Sequence, residues 1–412
     1  MRPLCILLLL LLFSGCLGRN DRVEGAAEAE SEPEPALFTA EDPAPAYDAL
    51  RDRAAGLASR LADGLDDRQL AAQVIISGID GKGHLTADMR MLLTECPAGG
   101  IMLFKYNLDA ETAAIRELIA EAAAVAAVPA VPPFVAVDHE GGAVNRFRRG
   151  VAVVPPAGSY WEMAQDRGWD SAIAHITSDS FAAGREINDL GVTMNLAPVA
   201  EYLNGENRDF LGDRSYGPSP LFTAAAAAAF IAGMEQAGVL CVVKHFPGSA
   251  GADPHLFPSV LKGDKAALVE LSAPVASLIR GNQVRAIMVS HSAVPALDSE
   301  NIASLSPAVM GGWLRQELGF DGLIICDDFS MASAVGPSAV GGLKPEMAAV
   351  RSLAAGADMV LVWPPDLRRT HRAILAALGD GRLSRERLRE AAGRIIFEKI
   401  RMKLIDGEGN DE

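Results

Sequence analysis

Cysteine is scarce, five in 412 residues, and aromatic side chains make up only 6% of the chain. Cys5 and Cys16 fall in an apolar N-terminal stretch, and two of the other three, Cys241 and Cys326, lie inside apolar runs where a thiol behaves as a small hydrophobe. With Cys96 the remainder is odd, so a disulfide framework is not expected even in an oxidising compartment. Basic residues are in deficit too, 37 against 53 acidic ones, for a formal net charge of -16. That balance argues against nucleic acid and against broad adhesion to anionic lipid, both of which call for a basic surface. The metal-binding spacings HxH, HExxH and CxxC are absent. What is abundant is apolar residue, 50% of the chain, enough for one large core or two ordinary ones.

The N-terminus begins with one arginine and an apolar run at 4–13, about half the ~20 residues of a membrane-spanning helix, and reads as a signal peptide. Phe13-Ser14-Gly15-Cys16 resembles the lipobox of bacterial lipoproteins, which implies lipidation of Cys16; cleavage of an ordinary signal beside a chance cysteine is the alternative. Residues 16–46, rich in Glu, Ala and Pro, have too few large apolar side chains to fold alone and read as a tether. The expected organisation is therefore a signal peptide at 1–15, the tether at 16–46, a catalytic body at 47–405 and a polar tail at 406–412. The body would sit outside the cytoplasm, with a membrane as partner only through the lipid.

From residue 47 the chain alternates apolar runs with helical patterns. The runs lie at 72–76, 100–104, 133–137, 192–198, 240–243, 284–289, 322–326 and 359–363; helical segments at 110–127, 221–236, 266–279, 308–318 and 346–355 fall between them. Strands that are apolar without interruption are covered on both faces, as in parallel sheets under helices. Eight such units predict an α/β fold, a single (β/α)8 barrel of the TIM type. A doubly wound open sheet satisfies the same pattern. The barrel carries a further expectation, that chemistry collects just after strands. Asp138, His139 and Glu140 follow the third run, Glu201 the fourth, Lys244 and His245 the fifth, His291 the sixth, and Asp327 and Asp328 the seventh.

Such a cluster of Asp, Glu and His can hold a metal ion, but Lys244 and Arg214 would place cations beside it; the other reading is an acid/base site with a carboxylate nucleophile. AVDHEGGAVNRF (136–147), NLAPVAEY (195–202), GDRSYG (212–217), KHFPG (244–248) and FDGLIICDDFSM (320–331) resemble, in order, the motifs of family 3 glycoside hydrolases, nearest to the single-domain bacterial β-N-acetylhexosaminidases. The resemblance covers roughly 65–400. It implies a retaining exo-glycosidase that removes terminal β-linked N-acetylhexosamine from cell-wall or chitin-type fragments, with a carbohydrate as partner, no cofactor, no metal, and a monomeric state; a family 3 β-glucosidase with another sugar preference, or a lipid-anchored glycan-binding protein that has lost turnover, are the alternatives. Residue by residue it implies Asp327 as the nucleophile, Asp328 as structural, His255 as acid/base paired with Asp253, and Asp138, Arg146, Arg214, Lys244 and His245 as sugar contacts. The chain departs from that pattern in four places. Ser249 stands where a second histidine is usual, Pro254 where serine is usual, Glu201 where aspartate is common, and the loop before His255 is short. Pro254 favours an extended Asp253, and residues two apart in an extended segment point the same way, so Asp253 is expected to orient the His255 ring.

Overall fold

The eight apolar runs do become strands, and each hydrogen-bonds in parallel to its neighbours. In the computed structural model the described residues are 44–147, 149–251, 253–254, 256–331 and 343–406. The proposed signal peptide, Cys16, nearly all of the tether and His255 lie outside them. The chain divides at Tyr47, and the barrel belongs to the second unit, Asp48–Glu412. Its strands are β1 (Ile75–Gly78), β2 (Gly100–Leu103), β3 (Phe134–Val137), β4 (Met194–Asn195), β5 (Leu240–Cys241 and Val243–Phe246, interrupted at Val242), β6 (Ala286–Val289), β7 (Leu323–Cys326) and β8 (Met359–Val362). Each pairs with the next, β8 returns to β1, and β5 joins the circle through both halves, Leu240–Cys241 against β4 and Val243–Phe246 against β6. The sheet is thus closed, and the open doubly wound alternative falls away.

Strand residues other than His245 are buried, as the largely apolar runs require. The predicted first run begins too early: Gln73 and Ala72 close the helix Asp67–Gln73, which opens on an Asp66/Gln69 capping box. The helix expected at 266–279 is divided into Lys265–Leu271 and Ala273–Arg280, because Pro274 cannot supply the amide a continuous helix needs. The segment Ala308–Glu317 is wound as a π-helix. Its last turn is closed by the Leu318 amide donating to the Trp313 carbonyl at 2.9 Å.

Two outer helices, Trp169–Asp189 and Pro220–Gln236, lie unusually close. A side chain at Gly233 would meet Ser180 Oγ at 2.1 Å and the Thr177 carbonyl at 2.5 Å, so only glycine fits there. Six consecutive alanines, 224–229, fill the same helix. At the N-terminal end of the barrel, fully buried Lys399 donates to Gln73 Oε1 at 2.8 Å and stands 5.2 Å above the Phe134 ring. Burial drives its pKa well below the usual lysine value. Cys96, Cys241 and Cys326 are buried free thiols.

Candidate active site

The C-terminal ends of the strands collect the titratable residues, and a bulge in β5 decides how two of them point. Val243 pairs with Ile287 and Phe246 with Val289, three residues of β5 against two of β6. The extra residue falls at Lys244–His245, where regular alternation would send neighbouring side chains to opposite faces. Instead Lys244 Nζ donates to Asp138 Oδ1 at 2.6 Å and pairs with Glu140 Oε1 at 2.7 Å, while His245 Nδ1 donates to Glu201 Oε1 at 2.7 Å. Lys244, Glu140 and Glu201 are 4%, 8% and 2% exposed.

Glu140 makes the buried lysine tolerable. Arg214 grips it with two parallel bonds, Nε to Oε2 at 2.8 Å and Nη2 to Oε1 at 3.0 Å. Burial pushes the Glu140 carboxyl up, but Lys244 and Arg214 outweigh it and bring it down to about 2. Burial likewise favours a neutral Lys244, yet Asp138 and Glu140 outweigh it and raise its pKa. Without Glu140 two largely buried cations would lose their shared counter-ion. Arg146 completes the group, 3.8 Å from Asp138. Of the five sequence-predicted sugar contacts, Asp138, Arg146, Arg214 and Lys244 thus form one network, and His245 adjoins it through the backbone of β5. Glu140, which binds the network together, follows β3 as expected, but no motif assigned it that role.

Asn195 fixes the turn that carries Asp138 and Glu140. Its side chain accepts from the His139 amide and donates to the His139 carbonyl, both at 2.9 Å. His139 itself is fully buried, its ring edge-on to Phe147, and burial followed by the nearby Arg146 lowers its pKa to about 4. Neither of its ring nitrogens has a hydrogen-bond partner among the described residues.

Asp327 is the first residue past β7, half-buried, with Oδ1 accepting from the Asp328 amide at 2.8 Å. Among the described residues its Oδ2 accepts no hydrogen bond. Burial raises its pKa, but His245, His291, the Asp328 amide and Lys244 outweigh burial and hold it below the ordinary aspartate value. The carboxylate is therefore ionised at neutral pH.

The segment around Asp253 corrects one expectation. The Asp253 carbonyl accepts from the amides of Leu256 and Phe257 at 3.0 and 2.9 Å, so the chain turns after Asp253 where an extended run was expected. Pro254 restrains the residue before it, not those that follow. His255 lies outside the described residues, and the geometry of the Asp253–His255 pair with it. No group of three or more His, Cys, Asp or Glu among the described residues is arranged to hold a metal ion. A cavity of about 310 Å³ lies at the opposite end of the barrel, beside Arg285, Asp321 and Gly322 just ahead of β6 and β7; it is remote from the titratable cluster, and that end of such barrels serves stability.

A closed parallel barrel whose C-terminal rim gathers an ionised carboxylate, imidazoles and a cation–carboxylate network has the layout of a barrel enzyme that works by acid/base and nucleophilic chemistry at that rim. Residues 67–397 match the glycosyl hydrolase family 3 N-terminal domain, and the chain belongs to that family. A β-hexosaminidase of Methylococcus capsulatus is 37% identical over 287 residues, 68% of this chain and 79% of its own length. The structure resembles a glycoside hydrolase family 3 β-N-acetylglucosaminidase from Paenibacillus, with a TM-score of 0.75 and 32% identity over 85% of this chain; the match spans 65% of that protein, under two thirds of its length. NagZ from Neisseria gonorrhoeae, solved in complex with N-trifluoroacetyl-D-glucosamine, matches with a TM-score of 0.66 and 27% identity, over 79% of this chain and 89% of its own. The protein is a glycoside hydrolase.

Proposed function

We propose that the protein is a retaining exo-β-N-acetylglucosaminidase acting on cell-wall or chitin-type fragments. Asp327 attacks the anomeric carbon; His255, oriented by Asp253, protonates the leaving oxygen and then activates the water that releases the sugar. The observation that supports this best is the Asp327 carboxylate, ionised, half-buried, and among the described residues tied at one oxygen. Asp138, Arg146 and Arg214 are partly exposed, with side-chain exposures of 21%, 31% and 20%, and with the buried Lys244 they are suited to grip sugar hydroxyls. Relatives named for hexosaminidase and N-acetylglucosaminidase activity support the choice of sugar. The test is a panel of p-nitrophenyl glycosides. The β-N-acetylglucosaminide should exceed the β-glucoside by about 100-fold or more in kcat/KM, as expected where a site hydrogen-bonds a group the analogue lacks. Preference for the glucoside would overturn the sugar assignment, and no turnover of any glycoside would overturn catalysis.

We further propose that the mature chain is held on a bacterial membrane by lipid on Cys16, with 16–46 as its tether. The short apolar run and the Phe-Ser-Gly-Cys sequence support this. Cys16→Ser should move most of the activity from the membrane to the soluble fraction; an unchanged partition would sink the proposal.

A further inference from the structure

Asp328, beside the nucleophile, is held from several directions. Its amide donates to Asp327 Oδ1 at 2.8 Å. Its carbonyl accepts from His291 Nε2 at 3.0 Å, which leaves His291 Nδ1 to accept from the Ser304 hydroxyl at 2.7 Å. Its carboxylate accepts from the Ser330 amide at 2.8 Å, from the Ser330 hydroxyl at 2.6 Å, and from the indole N–H of Trp363. The Ser330 bonds are local and move with the turn. Among the described residues the anchors on Asp328 from other strands are His291, past β6, and Trp363, past β8.

Trp363 is itself backed by other strand ends. Its ring stacks on Phe104, past β2, at 4.2 Å and 7°. Phe104 lies 6.0 Å from Tyr106 at 14°, and the Tyr106 hydroxyl donates to the Ile79 carbonyl, past β1, at 2.8 Å. A row of near-parallel rings therefore ties the ends of β1, β2 and β8 to one carboxylate. The Asp328 carboxylate and the peptide that joins Asp328 to Asp327 hang from one Cα, so a carboxylate fixed at its far end resists rotation of the backbone there, and this peptide carries the N–H that fixes Oδ1.

We propose that Trp363 is a positioning residue for attack by Asp327: by pinning the Asp328 carboxylate, its indole keeps the Asp328 amide on Asp327 Oδ1 and leaves Oδ2 aimed at the sugar. The proposal rests on Asp327 being the nucleophile. Trp363 needs no contact with substrate for this, so its loss should be felt in the chemical step and not in binding.

The test is Trp363→Phe, which keeps a ring on Phe104 and deletes the donor. With p-nitrophenyl β-N-acetylglucosaminide, kcat should fall ~10- to 100-fold, the scale of a small misplacement of a reacting group, while KM stays within ~2-fold. The acid limb of kcat/KM should move to higher pH, because the amide bond that helps keep Asp327 ionised is loosened. A kcat within ~2-fold of the parent with an unmoved acid limb would overturn the proposal, and so would a rise in KM alone, which would make Trp363 a substrate contact. Asp328→Asn weakens the same bond without emptying the ring stack, and it decides the matter if Trp363→Phe does not fold: a kcat loss at constant KM supports the clamp, an unchanged kcat overturns it. Full activity of Asp327→Ala would refute the nucleophile itself, whichever way these variants behave.

Discussion

Asp327→Ala should cost about four to six orders of magnitude in kcat/KM on every glycoside, activated or not, as losing a nucleophile does in enzymes that work through a covalent intermediate. The loss should be chemical and not structural. Asp327 is half-buried, and its one hydrogen bond among the described residues comes from the adjacent amide, so melting temperature should stay within a few degrees of the parent. The vacated space admits a small anion. With azide and an activated β-glycoside, direct displacement should give the α-glycosyl azide, of inverted configuration. Retention of full turnover by the variant, or a β-configured product, would remove Asp327 from the role.

The second large effect is expected at His255. His255→Ala should lower kcat/KM ~10²- to 10⁴-fold on natural linkages, whose leaving oxygens need a proton, and far less on nitrophenyl glycosides, whose leaving groups need little help. On activated substrates deglycosylation then becomes slow for want of a base, and azide should restore the rate by attacking the glycosyl-enzyme. Two inversions make that product the β-glycosyl azide. The same nucleophile thus yields opposite anomers in the two variants, and product analysis separates the roles without reference to rates. If His245→Ala shows the rescue and His255→Ala does not, the acid/base lies on the strand and not on the loop. His245 already has a carboxylate partner in Glu201, which makes the control a real one.

The barrel was legible because parallel strands buried on both faces leave largely apolar runs, which here are interrupted only at Gln73, Thr193, Asn195 and Arg285. The boundaries were less so. The helix Asp67–Gln73 closes on buried Ala71, Ala72 and Gln73 one residue before β1, and nothing local separates a buried helix turn from a buried strand. At the rim, residue types after each strand were legible, but their partners were not. Glu140 meets Arg214 across 74 residues and Asp138 meets Lys244 across 106, separations that only barrel closure brings together. The β5 bulge left no signature in an ordinary apolar run, although it decides that Lys244 and His245 both reach the site. Trp363 gave no warning at all, since it ends a strand as one more large apolar residue and its partner Asp328 sits on the neighbouring strand's loop.

Two of the departures from the family pattern turn out to be one arrangement. The Ser249 hydroxyl donates to Glu201 Oε1 at 3.1 Å, the oxygen that also receives the His245 Nδ1 proton and, at 3.2 Å, its amide. A longer acid reaching toward a smaller neighbour keeps His245 held. Read singly in the sequence, each change looked like a weakening of the site.

The barrel buries two lysines and treats them oppositely. Lys244 keeps its proton among carboxylates; Lys399, facing an amide oxygen and a ring, holds far more of its amine uncharged than a surface lysine does. An uncharged amine is a nucleophile, and this one is sealed from reagents. Acylation of Lys399 by a small water-soluble reagent can therefore proceed only while the floor of the barrel is open. The rate of that modification, followed by mass, is a clock for the rare excursions in which the last helix parts from the helix Asp67–Gln73 and the start of β3, and it runs without any label being introduced.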